Sequence, residues 1–458
     1  MNKWIKKGLA VIMTSIMVTG LVACSGESGK GSNNSSSETS DSSSKVLGDV
    51  TAETDISGAT IEIAYNKADT AEDFFALVGT WADANGVTIQ ETSYGEEHEA
   101  QMKTRMGSGD LPDIWMTHGW SINRYGEYLM DLSDQPWVVD IDPGLKDVIT
   151  TDDGELYILP ITQSIASVTY NADVLEEAGV DPSEIRTWDD FSEALAAIKD
   201  KTDASPLAIS LDETGFDSYT LELILPSLYT NADCADNKAD KFLDGTFDFA
   251  KDAEEVWTML SDWYNAGYYN EDLVSCKRDD LCQMLATGEA AFTFYAAMNP
   301  SILAYNPDAN IGILPVPASS DSAASYFGVG EGNYGCFGVC KDTEYPEACK
   351  ELLKYLAQSE VAEQVCEWDG GIPGLTSYEM PEDAESAVTA TAYKNAQEMF
   401  DGDLIYDNVF DREYLPSGMW SNMGDAGKEL FTDGDPEGHT AAAAKILQDS
   451  YDELIKGN

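Results

Sequence analysis

The changes of periodicity between residues 59 and 116 constrain this chain more than any other feature. Residues 59–65 (ATIEIAY) alternate apolar and polar and carry β-branched side chains, which predicts a strand. Residues 72–85 (EDFFALVGTWADAN) place Phe74, Leu77, Val78 and Trp81 on one helical face. A second strand pattern follows at 87–92 (VTIQET), then a helix over 97–108, then PDIWMTH, a buried strand opening into a loop. Strand, helix, strand, helix, strand in this order predicts an α/β lobe with helices packed on a mostly parallel sheet.

The middle of the chain is richer in helix. Thr187-Trp188-Asp189-Asp190 reads as a capping box opening a helix to about Ile198. Residues 250–266 align Ala253, Val256, Trp257, Leu260 and Trp263 along a helical stripe. Strand patterns recur at 288–297 (GEAAFTFYAA), 310–317 (NIGILPVP) and 336–342 (CFGVCKD). A helix is expected from Tyr345-Pro346-Glu347 to about Leu356, and a last one over 440–455. Trp81, Trp188, Trp257 and Trp263 sit on stripes or caps and belong to the core. With 458 residues, 43% of them apolar, the chain can fill two lobes. No internal repeat is visible.

The first fifty residues form no part of that fold. Met1 to Lys7 is basic, and Gly8 to Ala23 is an apolar run too short for the roughly 20 residues that span a bilayer. Together they read as a signal peptide, 1–23. Leu21-Val22-Ala23-Cys24 resembles the lipobox of bacterial lipoproteins, which implies lipid on Cys24 and a new N-terminus there. Residues 25–49 hold ten Ser and no aromatic residue, so they cannot bury enough surface to fold. The lipidated Cys24 and a Ser-rich tether are assigned to 24–56. The expected location is the extracellular face of the cell membrane, with the lipid anchor as the membrane contact.

Charge then narrows the partners. Asp and Glu number 83 against 26 Lys and Arg, a formal −57. Without residues 1–23 the balance is 23 against 83, or −60. A phosphate backbone or an anionic bilayer repels such a surface, so nucleic-acid binding is excluded.

Metal and cofactor chemistry finds little support. The three His (His98, His118, His439) argue against a histidine zinc site. Eight Cys include no C-x-x-C, and Cys276-x5-Cys282 and Cys336-x3-Cys340 match no zinc ribbon. The seven beyond Cys24 are expected mostly as buried free thiols. Asp433-Gly434-Asp435-Pro436-Glu437-Gly438 begins like a calcium loop, but its twelfth position is Ala444, so it reads as a solvated turn. There is no G-x-S-x-G, and the lone S-x-x-K, Ser42 to Lys45, lies in the tether. A two-carboxylate glycoside hydrolase remains an alternative on counting, because a suitable pair needs only two of the 83 acids.

Five segments in order resemble the family 1 extracellular solute-binding proteins of ABC importers, the group that includes the maltose-binding proteins. Ser108-Gly109-Asp110-Leu111-Pro112-Asp113-Ile114 is similar to its S/T-G-x-x-P-D-[IV] turn and strand. Gly154-Glu155-Leu156-Tyr157-Ile158-Leu159-Pro160 is similar to G-K-x-Y-x-[LV]-P. Tyr170-Asn171-Ala172-Asp173 through Gly179, then Thr187-Trp188-Asp189-Asp190-Phe191, resembles Y-N-K-D-x-[FL]-x-x-A-G followed by T-W-[DE]-[DE]-[FL]. Gly288-Glu289-Ala290-Ala291-Phe292 and the Tyr345-Pro346-Glu347 helix match two further motifs. Ala172 departs from the usual Lys, and Met298 stands where many members carry a Trp.

The resemblance implies a two-lobed α/β fold of the periplasmic-binding-protein type with a hinge. One lobe is expected at 57–162 plus 336–378, the other at 163–335 plus 379–458. It implies no enzyme and no cofactor. The partners would be a carbohydrate, expected as an oligosaccharide, and the permease's transmembrane subunits, met by a monomer. A non-sugar small solute is the alternative within this class.

A neutral sugar offers hydroxyls and a C–H face, so its site calls for aromatic plates rimmed by carboxylates and amides. Such sites form on loops after sheet strands. The candidates are Asn66 and Asp69 after the first strand, and Thr117, His118 and Trp120 after PDIWM. Gln163 lies at the first crossing strand, Tyr295 past the AAFTF strand, and Glu331 at the second crossing. Trp368, before Gly370-Gly371-Ile372-Pro373, and Trp420 complete the set. Asp217 and Tyr219 are more distant candidates.

Overall fold

The computed structural model describes residues 46–458 apart from 118–124, 152, 212–217, 295–298, 332–334, 401–403, 417 and 458. The signal peptide, Cys24 and the tether as far as residue 45 lie outside the described residues.

The first sheet is built from β1 (Thr60–Tyr65), β2 (Thr88–Ser93), β3 (Ile114–Met116), β4 (Ile158–Pro160) and β11 (Cys336–Val339), in the order β2-β1-β3-β11-β4. β1 runs parallel to both β2 and β3, as the strand–helix alternation predicts, and β11 is antiparallel to β3 and β4. The helices Ala71–Asn85, Pro346–Leu356 and Ser359–Asp369 bury Phe74, Val78, Leu352 and Val361 in one cluster with Ile61 and Ile63. Tyr65 stacks on Phe74 at 4.2 Å, and Phe74 on Phe337 at 5.5 Å. Residues 46–56, expected to belong to the tether, instead lie along this core, where Leu47, Val50 and Ala52 pack and Glu351 accepts the Glu53 amide at 2.9 Å.

A second sheet has the order β7-β8-β6-β9, from β6 (Val168–Asn171), β7 (Ser205–Leu207), β8 (Ala290–Thr293) and β9 (Ile311–Leu314). Its core holds Trp188, Phe191, Trp257, Trp263 and Phe292. Trp81, Trp188, Trp257 and Trp263 are all no more than 5% exposed, as their helical placement requires. The helix Trp188–Lys201 starts at the expected capping box. Thr187 Oγ1 accepts the Asp190 amide at 3.1 Å, and Asp190 Oδ2 accepts the Thr187 amide at 2.8 Å.

Between the two lies a third sheet, β12-β5-β10-β13, of β5 (Thr162–Ala166), β10 (Ser325–Glu331), β12 (Ile372–Pro373) and β13 (Leu404–Asp407). β5 connects β4 of the first sheet to β6 of the second, with one residue at each join. β10 runs antiparallel to it and leads back to β11. The chain therefore passes between two separate cores on an antiparallel pair, with Ile165, Phe327 and Val329 packed in a small cluster of their own. That is the two-lobed α/β architecture.

Three element boundaries shift for local reasons. The strand expected from Gly288 begins at Ala290, because Gly288 at φ +75 caps the helix Arg278–Thr287. The helix expected from 250 begins at Glu254, since Asp248 Oδ1 holds a turn by accepting the Ala250 and Lys251 amides at 3.1 Å. The last helix begins at Pro436, and Asp435 Oδ1 accepts the Gly438 amide at 3.2 Å. Asp433–Gly438 is thus a helix entrance, and Glu437 receives the Asn265 amide at 3.0 Å.

Candidate ligand-binding site

Four of the candidate residues gather at one edge of the first sheet and its junction with the crossing strands. Parallel neighbours end their carboxyl termini on the same side, so β1 delivers Asn66 and β3 delivers Thr117 to the same edge. Asn66 is 7% exposed and Thr117 2%. Asn66 Oδ1 and Thr117 Oγ1 are buried without a hydrogen-bond partner. A buried polar atom left unpaired is unfavourable by about 1–3 kcal/mol.

Gln163 lies on β5 and faces Glu331 across the antiparallel ladder, so the two candidates from separate crossings are cross-strand neighbours. The Gln163 amide donates to the Pro373 carbonyl at 2.8 Å, and its Oε1 is a third buried oxygen without a partner. Gln163 also bonds the carboxylate of Asp142, which burial pushes up and which caps the helix Pro143–Ile149. Gln163 therefore belongs to the hinge framework as well as to the edge of the site.

Trp368 ends the helix Ser359–Asp369 and packs half-buried against the first core. Lys67 joins it to the β1 loop, its Nζ donating to the Trp368 carbonyl at 2.9 Å. Asp69 is exposed and accepts the Thr70 amide at 3.1 Å. The neighbourhood is anionic: burial first, then the charges of Asp369 and Asp69, pushes the Tyr65 hydroxyl up to about 12.

Trp420 lies elsewhere. It packs against the second core and meets Tyr219 edge-on at 4.8 Å, while its carbonyl accepts the Ser218 hydroxyl at 2.8 Å. Two residues that the sequence offers separately, Tyr219 and Trp420, form one aromatic pair on the other lobe. His118, Trp120, Tyr295 and Asp217 lie outside the described residues, as does the side chain of Glu331. Lys67 and Asp369 also belong to this neighbourhood, and their only sequence signals are that Asp369 directly precedes the Gly370-Gly371 turn and that Lys67 sits between two candidates.

Two other features lie apart from this edge. A groove of about 960 Å³ on the second lobe, between Trp188, Tyr229, Lys238, Asp252 and Glu255, contains none of the candidate residues. Among the described residues, no group of three His, Cys, Asp or Glu side chains is arranged to hold a metal ion.

Residues 76–392 match the family of bacterial extracellular solute-binding proteins. The melibiose/raffinose/stachyose-binding protein MelE of Bacillus subtilis is 31% identical over 343 residues, covering 74% of this chain and 76% of MelE. The crystal structure of the MsmE protein of Bacillus subtilis in an open conformation superposes with a TM-score of 0.76 at 28% identity, over 88% of this chain and 99% of that one. A sugar transporter of Bacillus licheniformis in complex with stachyose gives a TM-score of 0.66 at 25% identity, over 86% and 100%. The chain belongs to the bacterial extracellular solute-binding proteins.

Proposed function

We propose that this protein captures a neutral oligosaccharide between its lobes and delivers it to the transmembrane subunits of an ABC importer. The carrying observation is the set of buried oxygens of Asn66, Thr117 and Gln163 without a hydrogen-bond partner, with Trp368 tied to the Asn66 loop through Lys67. Acceptors without donors suit hydroxyl groups, and an aromatic face suits the C–H side of a sugar ring, worth about 1 kcal/mol beyond area burial.

The lobes are assigned to 57–162 plus 336–378 and to 163–335 plus 379–458, consistent with two separate cores joined by β5 and β10. Closure on ligand is a hinge motion about those strands. His118, Trp120, Tyr295 and Glu331 are further candidate ligand contacts, on the strength of their positions after strands in the sequence. Trp420 supplies an aromatic from the second lobe. The protein acts as a monomer held at the extracellular membrane face through lipid on Cys24, a placement supported by the lipobox-like segment and the Ser-rich tether.

The names of MelE and of the stachyose complex make melibiose, raffinose and stachyose the first ligands to test. In a thermal-shift screen a cognate sugar at a hundred times its Kd stabilises the protein by about 2.7 kcal/mol. Binding measured by calorimetry should weaken in both Trp120→Ala and Trp368→Ala. Unchanged affinity in both variants refutes the site, and catalytic turnover of the sugar refutes the binding function.

A further inference from the structure

We propose that Lys67 is a positioning residue of this site: it clips Trp368 to the Asn66–Asp69 loop and ties both to the first crossing strand. What the site holds rests on the sugar-binding reading above, whereas the clip itself rests on geometry. An ammonium carries three donors. Lys67 Nζ reaches the carbonyls of Trp368 at 2.9 Å and Asp369 at 2.8 Å, and Asp369 Oδ1 lies 3.7 Å away.

Those carbonyls end the helix Ser359–Asp369, where the last turn has no intrahelical donors and the dipole is negative. Lys67 satisfies them from 301 and 302 positions away in sequence. Its side chain is 16% exposed and that of Asp369 3%, so solvent and salt screen the pair weakly. Asp369 Oδ2 accepts the hydroxyl of Thr162, the first residue of β5, at 2.5 Å.

Three segments thus meet on one ion pair: the loop after β1, the end of the Trp368 helix, and the crossing strand. Gly371 permits the closeness, since an added Cβ there would lie 3.1 Å from both Asp369 Oδ2 and Thr162 Cβ. The lysine's charge is engaged within the protein. It acts on ligand affinity through the placement of Trp368 and its neighbouring loop, and the pull of the hinge strand reaches both through Asp369.

A double-mutant cycle on the full-length protein tests this. Lys67→Met should weaken raffinose binding by about tenfold, the scale of a lost charge-assisted hydrogen bond, and the loss should shrink in a Trp368→Ala background. A loss of equal size in both backgrounds overturns the proposal, as does unchanged affinity in Lys67→Met. Hydrogen exchange in the ligand-free protein decides it without a sugar. Lys67→Met should accelerate exchange in 66–70 and 366–373 together while leaving β6 and β8 unchanged, and Asp369→Asn should do the same should Lys67→Met fail to fold. Acceleration in one segment alone overturns the clip. Failure of the wild type to bind any neutral oligosaccharide overturns the functional reading and leaves the exchange result to judge Lys67.

Discussion

Gly144 stands against the ring of Tyr406, so closely that an added Cβ would lie 2.7 Å from the ring carbons. The helix Pro143–Ile149 thereby rests its backbone on β13, at the edge of the hinge sheet, while Gln397 donates to the Tyr406 hydroxyl at 2.9 Å. Gly144→Ala should overpack this contact and destabilise the protein by about 1–3 kcal/mol. Urea unfolding measures it, and Tyr406→Ala in the same chain should relieve the clash. A variant as stable as wild type would show that the helix moves aside freely.

The capping box at Thr187 offers a second test. Thr187→Ala leaves the Asp190 amide without its side-chain acceptor and should lower stability by about 1 kcal/mol. The denaturation midpoint should fall with no change of slope. A change of slope instead would point to an altered unfolded state.

The cysteines beyond Cys24 should behave as inert thiols. All seven, from Cys234 to Cys366, are buried. Burial pushes Cys349 and Cys366 up to about 12 and Cys282 up to about 11, far from the thiolate form that reacts. Ellman's reagent at pH 8 should leave these thiols untouched in the native protein and titrate them after denaturation. Rapid labelling of the native protein would contradict their burial.

Asp407, the last residue of β13, should make stability fall with rising pH. Burial, then the charge of Glu413, pushes its carboxyl up to about 7, above the roughly 3.9 of an unfolded chain. The folded state therefore holds this proton more tightly than the unfolded state. Its stabilising effect is complete below about pH 4 and is lost as pH climbs through about 7. Asp407→Asn cannot ionise, so it should melt higher than wild type at pH 8, with the gap closing toward pH 4. A gap that does not change with pH would remove Asp407 as its source.

Much of the fold is legible in the sequence because period and capping are local properties. Alternation at 59–65 and the stripe of Phe74, Val78 and Trp81 specify a strand and a helix whatever lies around them, and Thr187 with Asp190 closes a cap within four residues. Gly288 misplaced a boundary because glycine fits both a strand start and a helix cap, and φ +75 is settled only by the turn it makes.

The site divides differently. Residue type and position after a strand pick out Asn66 and Thr117 in the sequence, and both arrive at one sheet edge because β1 and β3 are parallel neighbours. Nothing local marks Lys67 as the partner of Trp368, or Tyr219 as the partner of Trp420, since these contacts join segments 301 and 201 positions apart. The sequence by itself determined the two-lobed α/β class, the acidic surface and the residues eligible for a site. The tertiary structure alone decided which oxygens of Asn66, Thr117 and Gln163 are buried without donors, and that the Lys67 charge is engaged by the Trp368 helix end and Asp369. Periodicity is written within a few residues, whereas burial and ion pairing depend on which distant segments the packed core brings together.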